Sequence, residues 1–313
     1  VGINFISTGN TMRTMNYFAY GSNVNFVELF ERATAAGVKN PAEHFRVAAK
    51  TNVFLHDYKL GFTRFSKSRN GGVLDLVRAK GHYVRGALIA VSEEGLKFLD
   101  HKEGVANGAY ERFDCVVAIN GKEEAAVSYK VKSPAAQYIK PHPDYVKVVV
   151  TGFQRLDIDS AQVIAASQNE PAACRLCNLF VYGSLRRGAA RHHYLVDAGI
   201  KKALPAEKFG QLYDCGNFVG MYLNPEPDSA RLVQGEGYNI DQIETLLERL
   251  DQVEGFYGDG NPNNLFRRVV TDFAVGERGR VELGWVYVLT TLRPQEKQIA
   301  AIGSSSQVIT VVH

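Results

Sequence analysis

No stretch of this 313-residue chain approaches the run of about 18 apolar residues that a membrane-crossing helix requires. Residues 1–14 also lack the basic start and apolar middle of a secretory leader, so a cytoplasmic protein with no membrane partner is expected. Charge of one sign is missing too: 36 Lys and Arg stand against 33 Asp and Glu, a formal net charge of +3, and the densest basic cluster, Arg186, Arg187 and Arg191, is short. Nucleic acid is therefore not an expected partner. Cysteine is scarce. Cys115, Cys174, Cys177 and Cys215 are too few and too dispersed for a disulfide framework, which points to reduced thiols. Cys174 and Cys177 have C-x-x-C spacing, but the pair precedes the apolar run from Leu179 instead of following a strand, and a zinc site would need a second pair. No metal and no cofactor is expected. Proline is low, 10 residues beside 29 glycines, while 45% hydrophobic and 22% charged residues are those of an ordinary globular protein with a proper core. The length suits two domains of about 150 residues.

What is present is an internal repeat. Tyr17-Phe18-Ala19-Tyr20-Gly21-Ser22-Asn23 answers to Leu179-Phe180-Val181-Tyr182-Gly183-Ser184-Leu185, each an apolar, β-prone run stopped by Tyr-Gly-Ser and followed by an expected helix. Leu99-Asp100-His101-Lys102-Glu103-Gly104 answers to Leu250-Asp251-Gln252-Val253-Glu254-Gly255, each at the end of a helical pattern, over 93–101 and 241–251, with glycine as a natural stop. An aromatic-x-Arg then opens a strand, at Tyr110-Glu111-Arg112 and at Phe266-Arg267-Arg268. Three matched features in the same order argue duplication.

Residues 73–79, 83–91, 113–119 and 125–131 read as strands, with Asn120-Gly121 as a hairpin turn. Residues 26–36, 145–156 and 160–167 read as helices. In the second half, residues 233–240, 266–273 and 281–289 read as strands. The expected fold class is α+β: two tandem domains, each a small mixed barrel or curved sheet flanked by helices. Residues 1–15 read as an extension, 16–168 as the first domain, 169–177 as a polar, proline-broken linker and 178–313 as the second domain; the stretch 303–313 has no assignment.

A strand that stops at Gly-Ser leaves consecutive backbone N–H groups free to hold a carboxylate or a developing oxyanion. A carboxylate after Leu-Asp, at Glu103 and again at Glu254, becomes a useful acid and base near neutral pH if burial lifts its pKa above the usual value of about 4.3. An anion cradle plus one tuned carboxylate suits intramolecular acyl transfer. Ser22 and Ser184 do not read as hydrolase nucleophiles, because neither lies in Gly-x-Ser-x-Gly. The adjacent His192 and His193 cannot both face one site on a helix, which favours surface and packing roles.

The glycine-turn segment Tyr17 to Asn23 and the Leu99 to Val105 segment followed by Gly108-Ala109-Tyr110 resemble the two signature motifs of γ-glutamylcyclotransferase. Gly71-Gly72-Val73, Arg85-Gly86-Ala87-Leu88 and the segment with Pro141, Pro143 and Tyr145 extend the likeness over nearly all of residues 16–160. The second half resembles the γ-glutamylamine cyclotransferase, avirulence-induced-gene-like, branch through Phe180 to Gly188, His192, Gly235-Glu236-Gly237-Tyr238 and Leu250 to Gly255. It departs in Ser184, where Thr is usual, and in a polar insertion over 256–265 that stands where it would cover, reshape or block the pocket of Glu254. The resemblance implies a small-molecule γ-glutamyl substrate whose α-amine attacks its own side-chain carbonyl, giving 5-oxoproline and a free amine. It implies Glu103 and Glu254 as catalytic residues. Tyr20, Gly21, Ser22, Asn23 and Tyr145 would bind substrate in the first domain, and Tyr182, Gly183, Ser184 and Leu185 in the second. Two alternatives are a tandem binding module without chemistry, and the same chemistry on a γ-glutamylated natural product.

Overall fold

A computed structural model describes residues 13–50, 53–119, 121–170, 174–223, 231–291 and 297–299. Residues 1–12 of the expected extension, Asn120 of the expected hairpin turn, Pro171 of the expected linker and the stretch 303–313 lie outside them. The chain divides into two compact units, 1–119 with 123–175 and 120–122 with 176–313, so that apart from the short 120–122 piece the division falls after Arg175.

Unit 1 runs β1 (Thr14–Ala19), α1 (Phe26–Ala35), α2 (Pro41–His44), β2 (Phe45–Ala49), β3 (Val53–Ser66), β4 (Gly71–Arg85), β5 (Ala87–Ser92), α3 (Glu93–Lys102), β6 (Tyr110–Ile119), β7 (Lys122–Val131), α4 (Pro143–Arg155) and α5 (Ala161–Ser167). β1 thus takes in Thr14 and Met15, which the sequence assigns to the extension. The strands form one mixed sheet in the order β2-β5-β1-β7-β6-β3-β4, with β1 antiparallel to β5 and parallel to β7. Phe18, Leu99, Val149 and Phe153 are among the buried side chains that join β1, α3 and α4 in one core.

Unit 2 runs β8 (Asn178–Val181), α6 (His193–Asp197), β9 (Ile200–Asp214), β10 (Val219–Tyr222), β11 (Arg231–Ile240), α7 (Ile243–Val253), β12 (Phe266–Val275), β13 (Arg280–Leu289) and β14 (Lys297–Ile299). Its order is β10-β9-β11-β8-β13-β12, and a further pairing of β12 with β9 closes the strands into a barrel. Ile243, Leu246, Leu247 and Leu250, all on one helical face, sink α7 into this unit.

The helices that carry Glu103 and Glu254 begin and end for local reasons. Ser92 caps α3, its hydroxyl accepting the Gly95 N–H at 3.1 Å, and Glu93 and Glu94 favour the positive end of the helix dipole. Both helices stop at a glycine in the left-handed region, Gly104 at φ 64° and Gly255 at φ 62°, a conformation that costs other residues about 1 kcal/mol or more.

The expected strand over 83–91 is broken at Gly86. A methyl group there would lie 2.5 Å from the Ala19 carbonyl oxygen, and one on Gly235 would lie 2.4 Å from that of Val181. β1 pairs β5 with Ala19 opposite Ala87, and β8 pairs β11 with Val181 opposite Glu236, so the two glycines stand at equivalent places. Each lets a neighbouring strand pass close beneath Tyr-Gly-Ser. Gly235→Ala is expected to destabilise unit 2 by about 1–3 kcal/mol through overpacking, read as a lower urea midpoint.

Candidate active site

In unit 1, β1 delivers the chain into a tight turn. Ser22–Val24 form a single 3-10 turn and Asn25 then caps α1. The backbone N–H groups of Gly21, Ser22 and Asn23 take no acceptor among the described residues. The Asn23 amide nitrogen donates to Glu103 Oε1 at 3.0 Å and to the Tyr17 hydroxyl at 2.8 Å. Its Oδ1 is buried without a hydrogen-bond partner among the described residues, a free acceptor beside the carboxylate. Glu103 itself is the C-terminal cap of α3, and Lys102 Nζ stands 3.1 Å from its Oε1. Tyr145, from α4, accepts the Leu74 N–H at 3.3 Å, and its hydroxyl would be 3.7 Å from a methyl placed on Gly21. These groups meet at a cavity of about 890 Å³, whose wall includes Ser22, Lys102, Glu103 and Tyr145. Burial pushes the phenols of Tyr17, Tyr20 and Tyr145 up, and nearby Glu103 adds to each shift.

Five of the predicted residues of unit 1, Gly21, Ser22, Asn23, Glu103 and Tyr145, thus come together. Tyr20 is present in another capacity: its hydroxyl donates to the Tyr129 carbonyl at 2.7 Å. Tyr129 in turn donates its own hydroxyl to Asp100 Oδ1 at 2.8 Å, and Arg112 donates to Asp100 Oδ2 at 2.8 Å. Unit 2 repeats the circuit. Tyr182 donates to the Tyr287 carbonyl at 2.8 Å, Tyr287 donates to Asp251 Oδ1 at 2.6 Å, and Arg268 Nε lies 3.5 Å from Asp251. The Asp of Leu-Asp therefore ties the end of the helix that carries the glutamate to the strand beside the glycine turn. That wiring sets the spacing between cradle and carboxylate.

The two sites differ where it matters for proton chemistry. Leu185 stands in unit 2 where Asn23 stands in unit 1, so no amide reaches Glu254 from that position. Arg191 Nη1 instead lies 3.6 Å from Glu254 Oε1. Burial raises the Glu254 carboxyl above the ordinary carboxylate range, and Arg191 offsets this in part. The Tyr182 hydroxyl accepts the Met221 N–H at 3.0 Å, as the Tyr145 hydroxyl accepts the Leu74 N–H in unit 1. The expected helix after Gly183 is absent; turns occupy 184–192 and α6 is short. The cause is local: Gly188 sits at φ 77° and Arg191 N–H bonds back to the Ser184 carbonyl at 2.9 Å.

The insertion over 256–265 closes on itself. Asn264 is buried; its Oδ1 accepts the Tyr257 N–H and its Nδ2 donates to the Gly258 carbonyl, both at 2.7 Å. Thr290 anchors the far end through the carbonyls of Asn264 and Leu265. His192 and His193 serve the local turn, their Nδ1 atoms 3.1 Å and 3.2 Å from the carbonyls of Leu185 and Ala190.

Because the native Glu254 keeps its proton to higher pH than the unfolded chain does, its contribution to stability falls as pH rises through that interval. Glu254→Gln is therefore expected to raise the urea midpoint of unit 2 at pH 8 and to leave it unchanged below the ordinary carboxylate range. Midpoints read at several pH values check the sign.

Sequence reasoning missed Lys102, Tyr17 and the Asp-Tyr-Arg circuit. Lys102 and Tyr17 lie inside the matched segments, Lys102 next to Glu103 and Tyr17 three residues before Tyr20. The circuit's tyrosine, aspartate and arginine stand within the matched repeats, but its middle member, Tyr129 and Tyr287, lies far from both motifs, so nothing local in sequence joins them.

Residues 179–305 match a family model described as gamma-glutamyl cyclotransferase, AIG2-like, and residues 83–163 match one described as AIG2-like family. A gamma-L-glutamyl-butirosin B gamma-glutamyl cyclotransferase of Niallia circulans is 40% identical over 114 residues, 36% of this chain and 65% of that protein. The match therefore spans just under two thirds of that relative's length. A human gamma-glutamylcyclotransferase is 30% identical over 146 residues, 46% of this chain and 73% of that protein. A solved structure named gamma-glutamyl cyclotransferase shares 27% identity over 49% of this chain and 86% of its own, with a TM-score of 0.41.

Proposed function

The chain belongs to the γ-glutamylcyclotransferase superfamily, and from that membership we propose that unit 1 releases 5-oxoproline from a γ-glutamyl amide with Glu103 as acid and base. The observation that carries this reading is the 3.0 Å hydrogen bond from Asn23 to Glu103 Oε1. It joins the end of the glycine turn to the one carboxylate among the residues lining the cavity.

The substrate supplies its own nucleophile. Its α-amine nitrogen bonds to the γ-carbonyl carbon, the bond from that carbon to the leaving nitrogen breaks, and a five-membered lactam results. Glu103 takes the proton shed by the attacking nitrogen and delivers it to the leaving nitrogen, so the carboxylate ends as it began. The N–H groups of Gly21, Ser22 and Asn23 hold the glutamyl carboxylate or the carbonyl oxygen as it gains charge. Asn23 holds the Glu103 carboxylate in place through its 3.0 Å hydrogen bond. Tyr145 shapes the wall, and Tyr20 holds the turn through Tyr129. Keeping the substrate folded back on itself replaces several kcal/mol of entropy otherwise lost on the way to the transition state, which is why one carboxylate suffices.

Unit 2 has the same parts in Glu254, Tyr182 and the N–H groups of Gly183, Ser184 and Leu185. The resemblance of its Phe180-to-Gly188 and Leu250-to-Gly255 segments to the γ-glutamylamine cyclotransferase branch, beside its match to the gamma-glutamyl cyclotransferase, AIG2-like, model, supports γ-glutamylamines as its substrate class. A relative named for γ-glutamyl-butirosin B supports, for the chain without distinction of unit, a γ-glutamylated natural product as a further substrate class.

The test is 5-oxoproline release from a panel of γ-glutamyl amino acids and γ-glutamylamines, with parent, Glu103→Gln, Glu254→Gln and the double variant. The reading expects each single variant to lose one part of the panel and the double variant to lose all. A folded parent that releases none, yet binds panel members, would leave only the binding-module alternative.

A further inference from the structure

Accepting the cyclotransfer reading of unit 1, we infer that its leaving group is an amino acid with an acidic side chain, and that Arg64 and Lys67 select it. The cavity is far larger than a glutamyl group needs, and its wall is lopsided in charge: Arg32, Arg64, Lys67, Arg69 and Lys102 line it against the single carboxylate of Glu103. Three of those cations are already neutralised inside the protein. Glu28 Oε1 takes Arg32 at 2.6 Å and also pairs with Arg69, and Lys102 pairs with Glu103. Burial and these two arginines act on Glu28 together, and the pairing holds its carboxyl below the ordinary range.

Arg64 and Lys67 have no such partner. Neither has a carboxylate within reach among the described residues. The Arg64 guanidinium stands 5.6 Å above the ring of Tyr110, the residue that opens β6 just after the loop from Glu103, so its planar fork is held at the wall and stays free to bind. Lys67 follows on the exposed turn after β3, flanked by Ser66 and Ser68, whose hydroxyls lie 3.1 Å apart on the same wall.

The glutamyl half brings one carboxylate, and the backbone cradle accounts for it. An ordinary leaving amino acid brings one more, which leaves a cation unmatched. A leaving glutamate or aspartate brings two, matching Arg64 and Lys67 together, and a guanidinium can take a carboxylate through two parallel hydrogen bonds. A leaving amine without carboxylates would put both cations against a neutral group.

The experiment compares γ-glutamyl-glutamate with γ-glutamyl-glutamine, which differ in charge and hardly in shape, using the full chain carrying Glu254→Gln so that unit 1 alone reports. The expected kcat/KM ratio favours the acidic peptide by about tenfold or more. Arg64→Gln brings the ratio to within about twofold of one, Arg64→Lys keeps part of it, and Lys67→Gln, at an exposed position, lowers it independently. Equal release from both peptides, or a ratio unmoved in both Gln variants, overturns the inference and leaves cyclotransfer standing. No 5-oxoproline from either peptide overturns the cyclotransfer reading and the inference with it.

Discussion

Glu103→Gln is expected to lower 5-oxoproline release by unit 1 by about 10²–10⁴-fold, the span that a positioned acid or base supplies. The change keeps the size and shape of the side chain and removes only its capacity to take a proton. Asn23 can still donate to the remaining carbonyl oxygen, so the turn and the helix end stay joined. Lys102 loses its carboxylate, and because its side chain is only 14% exposed a small loss of stability accompanies the substitution. A denaturation curve separates that loss from the catalytic one. Asn23→Leu, which gives unit 1 the residue found in unit 2, is expected to be milder, about tenfold in kcat, because the acid remains and only the hydrogen bond that orients it is lost. Single-turnover release of 5-oxoproline in the Glu254→Gln background measures both. Equal losses for the two variants would mean that Glu103 holds the turn without moving a proton.

The duplication and both glutamates were legible because their signals are local. A strand ended by Tyr-Gly-Ser and a helix ended by Glu-Gly each announce themselves within a few residues, and the helix carrying Glu254 shows its apolar spacing plainly. β3 and β9 did not. β3 carries His56, Asp57, Lys59 and Arg64 among its apolar residues and is bent by irregular pairing near Asp57 and Thr63. β9 holds Pro205 and Gly210, and its Lys and Glu residues obscure the alternation. Both are long strands whose register is fixed by partners distant in sequence, so periodicity within the strand says little. The same limit hid the division of labour at the site. That Asn23 reaches Glu103 while Leu185 cannot reach Glu254 is a contact across the fold, visible in sequence only as one letter of difference between two matched turns.

Asp251→Ala is expected to destabilise unit 2 by about 3–5 kcal/mol, whereas Asp100→Ala costs unit 1 about 1–2 kcal/mol, although the two residues occupy the same place in the repeat. The difference lies in the arginine. Arg268 is 1% exposed by side chain and is sandwiched between the rings of Phe256 and Trp285, 5.3 Å and 4.9 Å from their centres. Removing Asp251 takes a carboxylate from beside that buried guanidinium and leaves the Tyr287 hydroxyl without its 2.6 Å acceptor. Arg112 and Asp100 are instead 32% and 31% exposed, so water replaces the arginine's lost partner and screens its charge, and only the Tyr129 hydroxyl is left without its acceptor. Trp285 is the single tryptophan of the chain and lies in the affected core, so its fluorescence in a urea titration follows unit 2 alone, while circular dichroism follows both. A midpoint for Asp251→Ala close to that of the parent would show that the rings, not the carboxylate, hold Arg268. In that case the circuit serves unit 2 by placing Glu254 rather than by holding the fold, and release from γ-glutamylamines would fall without any shift in the fluorescence transition.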